Sequence, residues 1–474
     1  MIQTHISWVF LSGCYAYKLK KPVQFDFLDF STLALRKHYC EQELRLNRRL
    51  APEIYLAVLP VYQHNNALSL TIPGTIVDYC LKMHRFEQTN LLAEQLEQGS
   101  FNPAWMDALA YDIHHFHQQQ PSVDIAHFNA QQMLEAHITS NLNVASAHIP
   151  EALAQQTWQQ LSHYAKQTLT TYAPQLQHRA EYGYIRCCHG DLHLNNITLI
   201  HGNPRAFDCI EFNEQFATID TLNDVAFLIM DCAAHQRLDL GMRFLSRYLE
   251  YSNDYQDLAL LNLYLFYRAT VRGKVACLLA EEIQQPRQKL NEARSYFNLA
   301  ATYTQNVKPR LFAIGGLSGS GKSHLALLGA GFEQAVVIRS DATRKRIAHN
   351  HPALALYSSQ MNQHTYQAII EAGYSALTAG FSVILDAAFL KTEERLQVSM
   401  LADQCHIALY FYWLDIATAT LRTRISQRQH DGSDISDADE TVLQQQLNNY
   451  HPPQEIWIHH LTSSDHWPTV QAQT

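Results

Sequence analysis

A chain of 474 residues has room for two or three domains with sizeable cores, and 47% hydrophobic with 17% charged residues describes an ordinary soluble globular protein, not a disordered one. A net charge of -9 argues against a general nucleic-acid-coating surface, though a local basic groove is compatible with it. Nine cysteines without a Cys-x-x-Cys pair point to reduced thiols, and no apolar run has signal or membrane-spanning length, so a cytoplasmic protein with no membrane partner is expected.

In chain order, residues 6–20 read as two strands about a turn at Ser12-Gly13, with Lys18 and Lys20 on one face. A helix follows, capped by Ser31 and running through Glu41, Glu43 and Leu46 toward the break at Pro52. A strand lysine against a helix glutamate is the ion pair that steadies nucleotide phosphates in kinases. Glu43 is the candidate acid, and the choice between Lys18 and Lys20 is open. Strands are expected near 54–61 and 67–72, and the segment 78–83 reads as a hinge between two lobes. From about 90 to 180 the periodicity is helical. The run His114-His115-Phe116-His117 lacks ligand spacing to a Cys or carboxylate, so packing is favoured over zinc.

The stretch His189-Gly190-Asp191-Leu192-His193-Leu194-Asn195-Asn196, with Asp208 beyond it at the end of a strand, is a phosphoryl-transfer constellation. Asp191 can take the proton of an attacking hydroxyl, and Asn196 and Asp208 can hold magnesium on the nucleotide phosphates. A polar hairpin loop is the competing reading of Asp191 and Asn196; Asp208 and the flanking apolar strands count against it. Asp224, on a mostly apolar helix, either braces this loop or caps its helix. Arg268 and Arg272 share a helix face amid aromatics, where they pair with acids or form an anion-reading wall beside the site.

The runs HGDLHLNNI, FDCIEFN and DTLNDVAFLIMD resemble the catalytic and metal loops of the aminoglycoside phosphotransferase family, a branch of the protein-kinase-like fold. The resemblance covers about residues 1–300 and implies Asp191 as base, Asn196 and Asp208 as magnesium ligands, and His189 as a buttress of the loop. It departs from the kinase pattern ahead of Lys18, where no Gly-x-Gly-x-x-Gly loop stands; Thr4, His5 and Ser7 are the candidates to cover the phosphates.

After a linker near 306–310, a strand runs into Gly316-Leu317-Ser318-Gly319-Ser320-Gly321-Lys322-Ser323 and an apolar helix, the strand-loop-helix context of a P-loop. Backbone amides would cradle phosphates across Gly316, Ser318, Gly319, Ser320 and Gly321. Lys322 would reach the terminal phosphates and Ser323 would hold magnesium. Alternation continues with a strand at 335–340, a helix near 361–379, and strands at 383–386 and 407–414. Asp386 closes an apolar strand in the position of a magnesium-shell carboxylate. Asp341 and Arg344 open the helix after the second strand, as acceptor base and acceptor-orienting cation or else as cap and solvated charge. Arg424 and Arg428 precede the polar stretch 431–434 and read as lid arginines or as a plain surface helix.

GGLSGSGKS, IRSDATRKR, VILDAAF and LRTRISQRQ resemble the small P-loop kinases that include gluconate kinases, polynucleotide 5′-hydroxyl kinases and zeta-type toxins. Together the halves resemble bacterial fusions of an aminoglycoside-phosphotransferase-like protein with a P-loop ATP-binding protein. The expectation is an α+β protein-kinase-like (aminoglycoside phosphotransferase) domain over 1–305, then an α/β P-loop NTPase domain with a parallel sheet over 310–474. The implied activity is a bifunctional phosphotransferase using ATP and Mg2+ on small-molecule hydroxyl acceptors, with Arg268 and Arg272 hinting at an anionic one. The alternatives are an ATP-regulated sensor with one inactive half and a polynucleotide 5′-hydroxyl kinase; a nucleic-acid partner is not favoured, since no basic stripe with aromatics supports it.

Overall fold

The structure, a computed structural model, describes residues 1–468 except 5, 26–27, 124–128, 283–285, 353 and 432–438; the side chains of 282 and 428–431 are also outside the description. Two compact units form, one from residues 1–231 with 264–300 and the other from 232–263 with the chain from 301 onward. The stretch 232–263, flanked in sequence by the first unit, therefore packs in the second.

The first unit opens with β1 (Ile2–Gln3), β2 (Ser7–Ser12) and β3 (Tyr15–Lys20), then a short hairpin of β4 (Gln24–Phe25) and β5 (Leu28–Asp29). Helix α1 (Leu33–Asn47) follows, and then β6 (Tyr55–His64), β7 (Ala67–Ser69) and β8 (Thr75–His84). Strand order is β1-β2-β3-β8-β6-β7, antiparallel throughout. The segment 78–83, expected as a hinge, is instead the middle of β8. It is hydrogen-bonded to β3 on one side and β6 on the other, with Cys80 and Leu81 fully buried. The α1 cap is Thr32, which accepts the Leu35 amide at 3.2 Å; Ser31 turns back to Asp29 at 2.6 Å. The buried stripe of α1 is Arg36, Cys40, Glu43 and Asn47. A helix that buries a polar stripe does so for specific partners, because each unpaired group there costs about 1–3 kcal/mol.

A helical lobe follows: α2 (Leu92–Glu97), α3 (Ala104–Gln119), α4 (Ala130–Ser146), α5 (Gln155–Thr171) and α6 (Ala173–Glu181). In α3 the buried residues Met106, Leu109, Ala110, Ile113 and Phe116 recur at helical spacing. Then come β9 (Ile185–Cys187), the hairpin β10 (Ile197–Ile200) and β11 (Asn203–Ala206), α7 (Glu214–Ala217), and β12 (Thr218–Asp220), which pairs with β9. Helix α8 (Thr221–Ala234) leads out of the unit, α9 (Leu238–Ser252) belongs to the other, and α10 (Leu260–Glu282) and α11 (Pro286–Thr302) return. An antiparallel sheet with one helix, followed by a helical lobe carrying short hairpins, is an α+β arrangement.

The second unit alternates β13 (Leu311–Gly316), α12 (Lys322–Glu333), β14 (Val336–Arg339), α13 (Ser340–Asn350), α14 (Ser359–Thr378), β15 (Val383–Asp386), α15 (Thr392–Cys405) and β16 (Leu409–Leu414). It ends with α16 (Thr418–Asp431), α17 (Glu440–Asn449) and β17 (Ile458–Leu461). The five strands are parallel in the order β14-β15-β13-β16-β17. Strands β13, β14 and β15 are buried along their whole length, as helices on both faces of a parallel sheet require. Phe312, Ile314, Leu325, Val337, Ile384 and Tyr412 form the core beneath the loop after β13. Strand β14 is an edge, and α9 covers it: Ser246 Oγ accepts the Val337 amide at 3.0 Å. This is the α/β P-loop architecture, with ligand-facing loops at the carboxyl ends of the strands.

Candidate functional site

In the first unit Lys18 and Lys20 meet the same acid. Lys18 Nζ lies 2.7 Å from Glu43 Oε1 and 2.7 Å from Asp208 Oδ1, while Lys20 Nζ lies 2.8 Å from Glu43 Oε2 and also pairs with Glu211. The pair of lysines follows from period two on β3, and Glu43 from the buried stripe of α1. Burial alone pushes the Glu43 carboxyl up, but the two ammoniums outweigh it and hold the group well below its ordinary value. Lys20 is sealed in, and Lys18 is the one that reaches Asp208. Asp208 takes a left-handed backbone (φ 60°), which its amide's bond to the Tyr55 phenol at 3.0 Å helps fix.

The loop between β9 and β10, which carries the candidate base Asp191, is held by one carboxylate. Asp224 accepts the His189 amide at 3.0 Å, the Gly190 amide at 2.8 Å and His117 Nε2 at 3.1 Å. Of the two readings of Asp224, the brace is what the structure contains. Gly190 has φ +83°, and an added Cβ would lie 3.0 Å from the Phe216 carbonyl, so the position takes only glycine comfortably. His189 donates from Nε2 to the Phe207 carbonyl at 3.0 Å, and its Nδ1 accepts the Asp191 amide at 3.3 Å. It thus ties the loop of Asp191 to the loop of Asp208. Asn196 Nδ2 donates to Asp191 Oδ2 at 2.8 Å and to the Asp191 carbonyl at 3.0 Å. Packing around the Asp191 carboxyl raises it, but His193, whose Nε2 lies 3.3 Å from Oδ2, together with Arg272 and His189, holds it well below the usual carboxylate range.

Arg268 corrects one expectation. Its Nη1 donates to the Gly190 carbonyl at 3.0 Å and its Nε to Asn223 Oδ1 at 2.7 Å, and its guanidinium lies 4.7 Å over Phe227. It is a buried strut of the loop, not part of an anion-reading wall, because α10 turns this residue into α8. Among the described residues Arg272, one turn on, has a single long hydrogen bond, 3.4 Å to the Tyr296 phenol. His117, Cys188 and Asp224 lie close enough to raise a metal reading, but the Asp224 oxygens already accept three donors. The phosphate-covering candidates divide: Thr4 and Ser7 bond each other, with Ser7 N donating to Thr4 Oγ1 at 3.0 Å, and His5 lies outside the described residues.

In the second unit the loop from Gly316 to Ser323 wraps the start of α12. Gly319 has φ +80°, and a Cβ there would lie 2.9 Å from the Leu421 carbonyl. Ser323 Oγ donates to Asp386 Oδ2 at 2.6 Å, and Lys322 Nζ donates to the Leu317 carbonyl at 3.1 Å. Burial raises the Asp386 carboxyl; Lys322 and Ser323 offset part of this, and Asp341 adds to it as a nearby like charge. Among the described residues Ser320 Oγ is buried without a hydrogen-bond partner, and Ser318 N donates to Gln446 Oε1 at 2.8 Å. Arg344 donates to Asn362 Oδ1 and lies 5.3 Å over Tyr357. Arg424 donates to the Ser320 carbonyl at 3.2 Å, so it is attached to the loop itself. The Arg428 side chain and the stretch 432–438 lie outside the described residues.

Residues 311–453 match the family model of an AAA domain. Over that stretch the second unit is similar to this domain. Over the chain as a whole, uncharacterized proteins of Mycobacterium tuberculosis and Mycobacterium bovis are 29% identical across 443 residues, which is 92% of this chain and 87% of theirs. Among solved structures, a choline kinase from Cryptosporidium parvum is 11% identical with a TM-score of 0.38, covering 63% of this chain and 87% of its own. A gluconokinase from Sinorhizobium meliloti is 22% identical with a TM-score of 0.26, covering 32% of this chain and 82% of its own.

Several residues of the two sites escaped the sequence reading. His193 stands two residues after Asp191, and an extended stretch returns alternate side chains to one side, which was a usable signal. Glu211 and Tyr55 had none, since each acts across long sequence separations. Gln446 and Asn362 sit on helices whose composition marks them only as polar. The oxygen donors suit a hard divalent cation: the Asp208 carboxylate with the amide oxygen of Asn196, and the Ser323 hydroxyl with the Asp386 carboxylate. Among the described residues no helix is long and apolar enough to cross a membrane.

Proposed function

We propose that the chain is an ATP-dependent phosphotransferase with two sites, each passing the γ-phosphoryl group of ATP to a hydroxyl of a small-molecule acceptor. The observation that carries this reading is that Lys18, Glu43 and Asp208 meet in one cluster, and that the loop of Asp191 and Asn196 is tied to the residue before Asp208 by the bonds of His189 Nε2 to the Phe207 carbonyl and of the Phe207 amide to the Asn196 carbonyl.

In the first unit Lys18 holds a phosphate oxygen while Glu43 fixes its ammonium. The acceptor oxygen forms a bond to the γ-phosphorus, the bond from that phosphorus to the β,γ-bridging oxygen breaks, and ADP leaves with the electron pair. The hydroxyl proton goes to the Asp191 carboxylate, which is ionised and steadied by Asn196 and His193. Asn196 and Asp208 would hold magnesium there, and Ser323 and Asp386 in the second unit. When bound, the metal neutralises charge on the phosphates. In the second unit the loop amides and Lys322 receive the phosphates, Asp341 takes the acceptor proton, Arg344 orients the acceptor, and Arg424 faces the phosphates from α16.

The test is ATP consumption by the full chain and by Asp191→Asn, Lys322→Ala and the double variant, each checked for folding. Each single variant is expected to keep the turnover of the other unit and the double variant to lose both. A double variant that consumes ATP at the unaltered rate would sink the proposal.

A further inference from the structure

The cations packed into the first unit are almost all committed. Lys18 and Lys20 share Glu43, Arg36 pairs with Asp78 at 2.8 Å, and Arg268 holds Gly190 and Asn223 through Nη1 and Nε, with its Nη2 buried and unpartnered among the described residues. Arg272 differs. Among the described residues its hydrogen bond is the 3.4 Å one to the Tyr296 phenol, its guanidinium lies 5.5 Å over that ring, and no carboxylate pairs with it. Most of its five N–H donors therefore stay available to a ligand.

Its position is set by the helix. Arg268, one turn earlier on α10, touches the carbonyl of Gly190, the residue before the base. The Leu194 amide, just after the base, donates to Asp231 at 2.9 Å. Asp191 and Asp231 are the charged neighbours of Arg272. Of the described cations near this chemistry, Lys18 is engaged with Asp208 and Glu43 and Arg268 with the loop backbone, while Arg272 is left without a task by phosphoryl transfer from ATP. A half-buried guanidinium that no carboxylate touches at ion-pair distance among the described residues gains from a bound anion, and its planar fork matches phosphate or carboxylate oxygens. The same charge disfavours a polycationic acceptor.

Building on the phosphotransfer reading of the first unit, we infer that its acceptor is an anionic alcohol, a phosphorylated or carboxylated small molecule whose anionic group Arg272 holds while its hydroxyl meets Asp191. The transfer is the one given above: the acceptor oxygen bonds to the γ-phosphorus, ADP leaves, and Asp191 takes the proton. The product carries a phosphoester and keeps its original anionic group.

The experiment uses the full chain with Lys322→Ala, which confines turnover to the first unit. Inorganic phosphate is titrated calorimetrically in the presence of Mg-ADP, and glycerol 3-phosphate, glycerate, glycerol and a quaternary ammonium alcohol are compared as acceptors. Phosphate affinity is expected to fall at least about tenfold in Arg272→Gln and to recover in part in Arg272→Lys. KM for the anionic alcohols is expected to rise in Arg272→Gln with a smaller change in kcat. Phosphate affinity that Arg272→Gln leaves unchanged, no phosphate binding at all, or lower KM for the neutral or cationic alcohols each overturns the inference. Turnover that survives Asp191→Asn defeats the phosphotransfer reading instead, so the two failures are distinct.

Discussion

Lys18 Nζ stands 2.7 Å from Asp208 Oδ1, joining β3 to the loop after β11 across 190 residues of sequence. Lys20, two residues on, makes no such contact and is enclosed with Glu43 and Glu211. The two lysines therefore divide the labour. Lys20→Ala leaves the buried Glu211 without the lysine it pairs with, and leaves Glu43 to Lys18, and is expected to cost about 3–5 kcal/mol of stability. Lys18→Ala leaves Glu43 still paired, so it is expected to cost roughly 1 kcal/mol. Its turnover, however, is expected to drop on the order of 100-fold. Urea unfolding and ATP consumption in the Lys322→Ala background separate the two, and equal effects from both lysines would contradict the division.

Asp224 carries the next expectation. Burial raises its carboxyl, but His117, His189 and Arg268 hold it at about 2. A carboxyl depressed in the folded state contributes stability that is complete above its unfolded value near pH 4 and is lost as pH falls toward 2. Wild-type protein is expected to lose stability faster than Asp224→Asn over that interval, by about 2–3 kcal/mol in total. Near neutral pH, Asp224→Ala orphans the His189 and Gly190 amides and is expected to cost about 3 kcal/mol. Chemical denaturation across pH 2 to 7 reads both effects. Parallel curves for wild type and Asp224→Asn would remove the charge from the account.

How much of this was legible in the sequence depends on range. Motifs that close within ten residues, such as Asp191 with Asn196 or Gly316 through Ser323, carry their chemistry in their spacing. The tie between Ser323 and Asp386 was readable because a buried strand ending in Asp has one place to go in a parallel sheet. Arg268 and Arg272 looked alike on a helical wheel, and only packing against α8 told them apart. The 78–83 segment misled because a polar-tinged run of strand length looks the same whether it links lobes or lies between two strands. The position of 232–263 was illegible for another reason: α9 is amphipathic, and amphipathicity says that a face is covered without saying by which unit.

Asp386 yields an expectation about protons. Burial lifts its carboxyl above the ordinary value, and Asp341 adds to the lift. A carboxylate that must ionise to bind a metal releases a proton when it does so. Mg-ATP binding to the second unit is therefore expected to release protons, in an amount that grows as pH is lowered from neutrality into the range where Asp386 titrates. Calorimetric titrations in buffers of different ionisation enthalpy measure this directly. Asp386→Asn should abolish the buffer dependence, and a variant that keeps it would assign the proton to another group.

Glu250 on α9 tests where the second unit begins. Its carboxylate takes Arg339 Nη2 at 2.7 Å and Arg247 Nη1 at 3.0 Å, all three buried, and its carbonyl accepts Arg346 Nη1 at 3.1 Å. Arg339 ends β14 in register with Asp386 and is followed directly by Ser340 and Asp341. The pairing therefore sets the strand end from which the proposed acceptor base departs. Glu250→Ala removes a carboxylate shared by two buried guanidinium groups and is expected to cost about 3–5 kcal/mol in the second unit, with a loss of Lys322-dependent turnover. A fragment from 311 onward, which lacks α9 and exposes the β14 edge, is expected to aggregate or unfold at lower temperature than the same unit in the full chain. Scanning calorimetry of both proteins decides. A fragment as stable as the full chain's second unit would show that 232–263 is an attachment to that unit and no part of its core.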